Sequence, residues 1–425
     1  MAVKRKTGRA TEDDIIVGLD VGTTKICVIV ARVKDDKNID ILGIGKAPSY
    51  GLHRGLVVNP NKTTESIKVA LEEAELNSGV SIRSVSVGIA GHYIRCIQSS
   101  SIIGINNQDR IIQEEDIARL LDQARIVKLP SDTTIIDVIP QEYIIDGKDG
   151  IFETPVGMFG IKLEAKVNII TGLVSAIDDL SKCVTSCGVD IDDIVLEPIA
   201  SSYSVLDETE KKVGVAMIDI GGGTSDIAVF KKGVLKYTAG IGIAGNLVTN
   251  DIVEALGISE EEAERIKREY GYAMVSEILN DEEITVHSIR EIPKKTSKSI
   301  LARIIQARMQ DIFELSAIEI QNSQIAKELH AGVVITGGGS LTKGTKELAE
   351  KILGMEVNLG IPTGLTGGLI KEVESPIFAT GVGLVLHRLK SINDVNKIKF
   401  NKIRKSKPLT IKGIFDKVKQ WFDEL

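Results

Sequence analysis

Residues 213–230 read VGVAMIDIGGGTSDIAVF, and this stretch decides the fold. Two short apolar runs joined by the glycines at 221–223 predict a β-hairpin. A glycine turn lets backbone N–H groups approach an anion closely, because no Cβ intervenes. Asp219, near the end of the first run, is costly to bury unless it meets a cation, and Mg²⁺ beside phosphates would meet that need directly or through water. The stretch therefore predicts a phosphate-binding hairpin, with an ordinary tight hairpin and a capped aspartate as the alternative.

A second copy of this pattern lies near the start of the chain, where residues 15–30 read IIVGLDVGTTKICVIV. Asp20 stands where Asp219 stands in the later copy, and a glycine and a threonine follow it in the same order. Lys25 gives the first copy a cation that the second lacks. Internal repetition of this kind indicates a duplicated fold. Two such hairpins facing each other would clamp a phosphate chain from both sides.

Length and composition limit the class of protein. A chain of 425 residues with 43% hydrophobic and 26% charged residues is typical of a globular protein with two or more domains. The net charge of −7 argues against nucleic-acid binding. The charged first residues do not resemble a secretory signal, and no apolar stretch reaches the roughly 20 residues of a membrane span. Four cysteines lack the paired spacing of a metal site, so we expect reduced thiols in a cytoplasmic protein.

The apolar pattern also indicates how the chain is divided. Residues 85–165 depart from the repeated pattern and mix strands with a helix at 114–126, which predicts an inserted α+β subdomain. Residues 294–330 are rich in helix formers and predict one or two long helices. Glu197 precedes a proline that favours the first turn of a helix, and this helix would link the two halves. Glu197 would either orient a water towards a bound phosphate or only favour the helix dipole, and the sequence leaves both open.

Two further segments of the second half fit a nucleotide. Glu264 and Lys267 lie three residues apart on a highly charged predicted helix, where they would grip a ribose or simply form an exposed ion pair. An apolar strand and a third glycine loop, GVVITGGGS at residues 332–340, precede another predicted helix whose N-terminus would face a ligand. This loop suits the cradle of an adenosine.

Taken together, these motifs resemble the actin/Hsp70/sugar-kinase superfamily and, within it, the FtsA family of bacterial cell division proteins. The first resemblance rests on the order of the two hairpins, the helix that begins at Glu197, the glycine loop and a second connecting helix at 379–383. The second rests on the insert with PVGMFG and on the segments LEPIAS and AERIKREYG. The resemblance implies an α/β, actin-like duplicated two-domain ATPase fold with an inserted α+β subdomain and a C-terminal amphipathic helix.

The same resemblance implies a division of the chain into subdomains. The expected parts are a disordered N-terminus (1–13), subdomain 1A (14–84 and 166–196, with 376–390), the inserted subdomain 1C (85–165), subdomain 2A (197–245 and 326–375), subdomain 2B (246–325), a flexible basic linker (391–410) and an amphipathic helix (411–425).

By resemblance, the ligands would be ATP and Mg²⁺, bound between the two halves. Asp20 and Asp219 would organise Mg²⁺, directly or through water. Glu197 would position a water for hydrolysis, which we expect to be slow at best. The residues expected to bind the nucleotide are Asp20, Gly22, Thr23, Thr24, Lys25, Asp219, Gly221, Gly222, Gly223, Thr224, Glu264, Lys267, Gly337, Gly338, Gly339 and Ser340.

The resemblance also implies partners and a place in the cell. FtsA-like proteins form actin-like filaments, bind the C-terminal tail of the tubulin-like protein FtsZ and recruit later division proteins. Lys294, Lys295, Arg303 and Arg308 fall in subdomain 2B and would pair with an acidic peptide, unless they only form a solvated helix face. We therefore expect a peripheral protein on the cytoplasmic side of the cell membrane at the division septum, where it tethers FtsZ filaments.

The end of the chain predicts the membrane contact. Residues 391–410 are basic with little apolar pattern, which is typical of a flexible linker drawn to anionic lipid. Residues 411–425, IKGIFDKVKQWFDEL, place their apolar side chains on one helical face that is too short to span a bilayer. A helix packed on the protein's own domain is the alternative. The apolar side chains of this face are Ile411, Ile414, Phe415, Val418, Trp421, Phe422 and Leu425.

Three related classes of protein remain as alternatives. A metabolite kinase of the superfamily would need a sugar pocket and a catalytic aspartate, and no clear candidate stands in residues 85–165. An Hsp70-like chaperone would need a peptide-binding domain after the ATPase. A pilus-assembly ATPase related to the FtsA family comes closer, but we expect it to lack the terminal membrane helix.

Overall fold

The computed structural model describes residues 15–34, 38–151, 154–288, 290 and 292–405. The predicted N-terminal tail (1–13) and amphipathic helix (411–425) lie outside these residues. The strands, in chain order, are β1 (Ile15–Val21), β2 (Lys25–Val33), β3 (Ile39–Pro48), β4 (Leu52–His53), β5 (Leu56–Val57), β6 (Ser84–Ile89), β7 (Arg95–Gly104), β8 (Thr133–Ile145), β9 (Lys148–Ile151), β10 (Lys162–Leu173), β11 (Asp190–Leu196), β12 (Val215–Ile220), β13 (Ser225–Lys231), β14 (Val234–Ile241), β15 (Glu283–His287), β16 (Pro293–Ser297), β17 (Val333–Thr336), β18 (Val357–Leu359) and β19 (Gly367–Gly368). The helices, in chain order, are α1 (Pro60–Ser78), α2 (Glu114–Ala124), α3 (Val174–Thr185), α4 (Glu197–Val205), α5 (Glu208–Val213), α6 (Gly245–Leu256), α7 (Glu260–Tyr270), α8 (Lys298–Asn322), α9 (Thr345–Leu353), α10 (Ile370–Val373) and α11 (Ala379–Lys405).

Two sheets of the molecule repeat one topology. Strands run in the order β11-β6-β1-β2-β3 in the first half and β18-β17-β12-β13-β14 in the second, and β19 extends the first sheet beyond β3. Each half starts with an antiparallel meander, and a later strand pairs parallel to the first strand of that meander. The predicted duplication is therefore present in the connectivity of the sheets. In both halves the hairpin turn lies at the same end of the central strand.

A separate antiparallel sheet, in the order β7-β10-β8-β9, forms the insert together with α2. Its limits differ from the predicted 85–165. Residues 85–89 belong to β6, which pairs with β1 and β11 in the first sheet. Residues 166–173 belong to β10, because both β7 and β8 continue to pair with it there. The predicted boundary at residue 85 falls inside β6. Hydrophobic periodicity predicts strands in both sheets, so it could not show to which sheet a strand belongs.

The prediction of helix throughout 294–330 is wrong at its start. Strand β16 pairs with β15 in a hairpin, and α8 begins only at Lys298. The Ser297 side chain accepts a hydrogen bond from the Ile300 N–H and so fixes this start. Lys294 and Lys295 consequently lie on a strand and not on a helix.

Helices α4 and α11 connect the two halves and cross in close contact. A Cβ on Gly383 of α11 would overlap the Ala200 carbonyl oxygen of α4, so only glycine allows this approach. Helix α11 continues to Lys405, which makes the first part of the predicted flexible linker (391–410) helical. The reason is that neither glycine nor proline follows Gly383 until Pro408. Among the helices described here, none combines the length and apolar character needed to cross a bilayer.

Candidate functional site

The two predicted hairpins have the same turn. Between β1 and β2, the Gly22 N–H donates to the Lys25 carbonyl oxygen at 3.1 Å. Between β12 and β13, the Gly221 N–H donates to the Thr224 carbonyl oxygen at 2.9 Å. Each turn follows a buried strand whose last residue but one is an aspartate at the cleft between the halves, Asp20 in β1 and Asp219 in β12.

These two turns touch each other across the cleft. The Thr24 hydroxyl donates to Asn246 Oδ1 at 3.1 Å. Gly222 and Gly223 lie against Thr24 and Thr23, and a Cβ at either glycine would overlap the opposing threonine side chain. The contact between the halves therefore favours glycine at both positions, although neither residue has a positive φ.

A cavity of about 530 Å³ opens between the halves beside these turns, which is within the usual size range of ligand pockets. Both hairpins, α6, α7, the glycine loop at 337–339 and α11 contribute to its wall. The predicted site residues that line it are Asp20, Gly22, Thr23, Thr24, Lys25, Glu197, Asp219, Gly221, Gly222, Gly223, Thr224, Glu264, Lys267, Gly337, Gly338 and Gly339.

Ser340 is the predicted residue that does not line this cavity. Its side chain is buried, and its hydroxyl donates to the Gly337 carbonyl oxygen at 2.7 Å. Ser340 therefore holds the shape of the glycine loop instead of facing a ligand. The sequence placed it correctly in the loop, but a short motif does not reveal the direction of a hydroxyl.

Four carboxyl groups gather at one end of the cavity: Asp20 and Asp226 are buried, and Glu197 and Asp219 are half-buried. Burial and the neighbouring charge of Asp20 raise the pKa of Asp219 to about 6, against a hydrogen bond from Ser201 that lowers it. Burial and the charge of Asp219 raise the pKa of Asp226 to about 7. Burial, then the charges of Asp20, Asp226 and Asp219, raise the pKa of Glu197 well above its usual range. Such a cluster of buried carboxyl groups concentrates negative charge, and a bound cation would compensate it.

Lys25 is the cation of the first hairpin. Its ammonium group donates to the Ile377 carbonyl oxygen at 2.6 Å and lies 4.8 Å from the centre of the Phe378 ring. Burial raises the pKa of Asp20, and the charge of Lys25 opposes that shift. Lys25 therefore reduces the excess of negative charge without cancelling it.

Glu264 and Lys267 form the ion pair predicted from their spacing, with 2.5 Å between Lys267 Nζ and Glu264 Oε2. Both also bind the Thr249 hydroxyl group at 2.7 Å. Although burial acts in the opposite direction, the ion pairs with Lys267 and Arg268 and the bond from Thr249 lower the pKa of Glu264. Burial lowers the pKa of Lys267. The pair lies on α7 at the cavity wall, where it is better shielded from solvent than an exposed pair and shares a third partner, Thr249.

Sequence reasoning missed several residues of the cavity wall. Asp226 stands two positions after Thr224 in the decisive stretch, so its proximity to the motif was a usable signal. Asn246 and Thr380 carried no such signal, because their positions follow from how α6 and α11 pack against the hairpins. Lys343 lies just after the glycine loop, where its charge was a weak signal.

A ready-made metal centre is absent from the described residues, since no group of three or more His, Cys, Asp or Glu side chains has the arrangement to hold a metal. The oxygen-rich wall formed by Asp20, Asp219 and their neighbours still suits a hard cation such as Mg²⁺, which keeps several waters and commonly shares its shell with phosphates.

The four cations expected to meet a partner differ in their surroundings. Arg308 forms a two-point ion pair with Asp251, at 2.7 and 3.1 Å, and also contacts Asp311. Its charge is already compensated, so the expectation that it pairs with an external acid is not supported. Lys295 is exposed and pairs with Glu283 at 2.5 Å.

The remaining two cations, Lys294 and Arg303, have no ion pair among those described above. Lys294 donates to the Leu256 carbonyl oxygen at 3.4 Å. Arg303 is exposed on α8.

Comparisons with known families identify two parts of the chain. A family model described as cell division protein FtsA matches residues 216–383. A model described as the SHS2 domain inserted in FtsA matches residues 91–171. The second match coincides with the antiparallel sheet of the insert.

Curated relatives extend the similarity over nearly the whole chain. Cell division protein FtsA of Pseudomonas aeruginosa strain PAO1 is 41% identical, over 96% of this chain and 97% of its own length. FtsA of Bacillus subtilis strain 168 is 37% identical, over 88% of this chain and 83% of its own length. FtsA of Escherichia coli strain K12 is 34% identical, over 89% of this chain and 91% of its own length.

Solved structures show the same fold at low identity. A PilM–PilN type IV pilus biogenesis complex matches with a TM-score of 0.63 at 15% identity, over 88% of this chain and 98% of that chain. MreB5 of Spiroplasma citri bound to ADP matches with a TM-score of 0.55 at 14% identity, over 90% of this chain and 99% of that chain. These likenesses confirm the predicted actin-like fold, and the match of the inserted-domain model confirms the inserted subdomain.

Proposed function

The chain belongs to the FtsA family of cell division proteins, and from this premise we propose that it binds ATP with Mg²⁺ in the cavity between its two halves. One observation carries the proposal: two hairpins with the same turn face one cavity, beside four carboxyl groups whose negative charge Lys25 compensates only in part. Backbone N–H groups at glycine turns are suited to phosphate oxygens. Mg²⁺ would compensate the charge of the phosphates and of the carboxylates together.

Each part of the cavity has a role in this proposal. The turns at 22–25 and 221–224 would bind the phosphates, and Asp20 and Asp219 would hold Mg²⁺, mainly through water. The ion pair of Glu264 and Lys267 would meet the ribose, and the glycine loop at 337–339 would border the adenosine. Glu197 would orient a water, so a Glu197→Ala change is expected to affect hydrolysis more than binding.

Calorimetric titration of the full-length chain with ATP tests this proposal, once with Mg²⁺ and once with EDTA. We expect Mg²⁺ to increase the affinity, and Asp219→Asn to remove that increase because the carboxylate charge is lost while the shape is kept. Asp251→Asn on α6 is a matched change outside the cavity and should leave ATP affinity unaltered. Equal Mg²⁺-dependent affinity in Asp219→Asn and in the parent chain would overturn the assignment of the site.

We further propose that the protein binds the C-terminal tail of FtsZ and so tethers FtsZ. We also propose that it forms filaments with copies of itself. The proposal rests on family membership and on two exposed cations, Arg303 and Lys295. The pair of Lys295 with Glu283 is exposed on both sides, and such pairs are weak enough for a partner to replace. A Lys295→Glu and Arg303→Glu double variant should weaken binding of an FtsZ tail peptide in calorimetry. Arg308→Gln should weaken it less, because Arg308 is already paired with Asp251. Undiminished binding by the double variant would exclude this surface.

The proposed membrane contact is the terminal segment 411–425, which lies outside the described residues. The proposal is supported by the apolar side chains on one face of this segment and by Trp421, the one tryptophan of the sequence, because tryptophan favours the membrane interface. Combined Phe415→Glu and Trp421→Glu changes should release the protein from vesicles containing anionic lipid in a sedimentation assay. ATP affinity should be retained. Continued sedimentation of the double variant would contradict the proposal.

A further inference from the structure

Asp219 lies beside two hydroxyl groups that the nucleotide motifs do not include. The Ser201 hydroxyl donates to Asp219 Oδ2 at 2.8 Å, and the Thr380 hydroxyl lies 3.5 Å from the same oxygen. The two hydroxyl oxygens are 3.0 Å apart, and because the Ser201 proton is used on Asp219, Thr380 donates to Ser201 and so orients it. Ser201 is fully buried and Thr380 is 8% exposed, so this network is shielded from bulk water.

The two hydroxyl groups come from the two helices that connect the halves. Ser201 belongs to α4 and Thr380 to the first turn of α11, next to the close crossing of these helices. The other carboxylate oxygen, Asp219 Oδ1, lies against Gly337, whose φ of 80° and missing Cβ leave room for it. One oxygen of Asp219 is thus bound by the connecting helices, and the other is left next to the glycine loop at the cavity.

Neighbouring serines of α4 use their hydroxyl groups differently. Ser202 donates to the Ile199 carbonyl oxygen at 2.7 Å. Ser204 donates to the carbonyl oxygens of Ser201 and Ala379, at 2.9 and 2.7 Å. Among these three buried serines, Ser201 is the one whose hydroxyl donates to a side chain at the cavity. This difference separates a role at the site from the general packing of a serine-rich helix.

We propose that Ser201 and Thr380 are positioning residues for the bound cation, which they control by fixing the orientation of the Asp219 carboxylate. The inference rests on the proposed binding of ATP with Mg²⁺. A hydroxyl donor bound to Oδ2 restricts rotation of the carboxylate, because hydrogen bonds to charged acceptors are the stronger ones. Oδ1 is then presented to the cavity in one direction, ready for a cation or its water shell. Without the donors the carboxylate turns freely and part of that preorganisation is lost.

The test compares ATP affinity with Mg²⁺ and with EDTA in matched variants of the full-length chain. Ser201→Ala should lose about tenfold of the Mg²⁺-dependent affinity, which corresponds to one hydrogen bond to a charged group. Its affinity in EDTA should stay unchanged. Ser202→Ala removes an equally buried hydroxyl one residue away and should behave like the parent chain in both conditions.

A second pair of variants keeps the test decisive where Ser201→Ala fails to fold. Thr380→Val preserves the shape without the hydroxyl and should lower Mg²⁺-dependent affinity severalfold, whereas Thr380→Ser restores the hydroxyl and should restore the affinity. Identical behaviour of Ser201→Ala and Ser202→Ala, or of both Thr380 variants, would overturn the inference. An equal loss in Mg²⁺ and in EDTA would also overturn it, because that pattern indicates a general structural role. A parent chain that binds ATP without any effect of Mg²⁺ would instead refute the proposed function, and the inference with it.

Discussion

The two hairpin turns share one backbone and differ in their side chains. When the bonds that close the turns are aligned, Thr23 and Thr24 of the first correspond to Gly222 and Gly223 of the second. The threonines of one turn pack on the glycines of the other. Duplication therefore supplied the same loop twice, and the side chains then diverged so that the two copies fit together.

The strands behind the turns differ in the same way. Asp20 is paired across its hairpin with Cys27, and Asp219 is paired with Asp226. The first copy supplies one carboxylate and Lys25, whose charge acts on both Asp20 and Asp219, whereas the second supplies two carboxyl groups and no cation in its turn (221–224). The second hairpin consequently carries more uncompensated negative charge. This comparison indicates that the second copy depends more on a bound cation.

The largest effect is expected from a side chain at the contact between the turns. Gly222→Ala should lower ATP affinity by up to about a hundredfold, since overpacking at a close contact costs roughly 1–3 kcal/mol and separates the phosphate-binding turns. Calorimetry on the purified variant measures this. Thr24→Gly in the same chain should restore much of the affinity by returning the space. If the double variant is no better than Gly222→Ala alone, the turns do not fit together as described.

A smaller effect should follow from removing the extra carboxyl group of the second hairpin. Burial and the charge of Asp219 raise the pKa of Asp226 to about 7, whereas an unfolded aspartate titrates near 3.9. The folded state therefore holds the Asp226 proton more tightly than the unfolded state does. The resulting contribution to the free energy of unfolding is complete below about pH 4 and is lost as the pH rises towards 7. Asp226→Asn should raise the free energy of unfolding of the ligand-free protein at pH 7 by on the order of 2 kcal/mol, with little change near pH 4.

Denaturant unfolding between pH 4 and 8 measures that difference. Asp178→Asn, an exposed change on α3, is the matched control and should leave the pH dependence as it is in the parent chain. Parallel curves for Asp226→Asn and the parent would show that Asp226 is not destabilised by its neighbours. The stated contrast between the hairpins would then be incorrect.

The smallest effect concerns the cation of the first hairpin. Lys25→Met should reduce ATP affinity about tenfold, because a charge-assisted contact to phosphate is lost while the aliphatic part of the side chain is kept. Lys46 lies 4.6 Å from the same Phe378 ring but does not line the cavity. Lys46→Met is therefore a close control, and affinity should be the same as in the parent chain. Similar losses in both variants would assign the effect to packing on Phe378.

The sequence predicted those features that depend on local pattern. The hairpins, their acidic residues and the glycine loop each combine strand periodicity with turn residues, so their existence and spacing were visible without tertiary information. Glu264 and Lys267 were found for a similar reason, since helical spacing brings them together. The orientation of the Ser340 hydroxyl group could not be predicted from the sequence, because it depends on how the glycine loop closes.

Other features depend on how distant segments pack. Thr380 reaches the site only because α11 crosses α4, and no local pattern records that crossing. Lys294 and Lys295 were expected on a helix because lysine is a good helix former, but pairing of β16 with β15 outweighed that preference. The limits of the insert were missed because β6 and β10 have strand patterns on both sides of the boundary.

A crystal structure with a non-hydrolysable ATP analogue and Mg²⁺ tests the central claim most directly. We expect the phosphate chain between the two turns, with backbone N–H groups of residues 23–25 and 222–224 within hydrogen-bonding distance of its oxygens. We also expect Mg²⁺ beside Asp20 and Asp219, with water in its coordination shell. Phosphates bound by one hairpin alone, or a nucleotide outside the cavity between the halves, would contradict it.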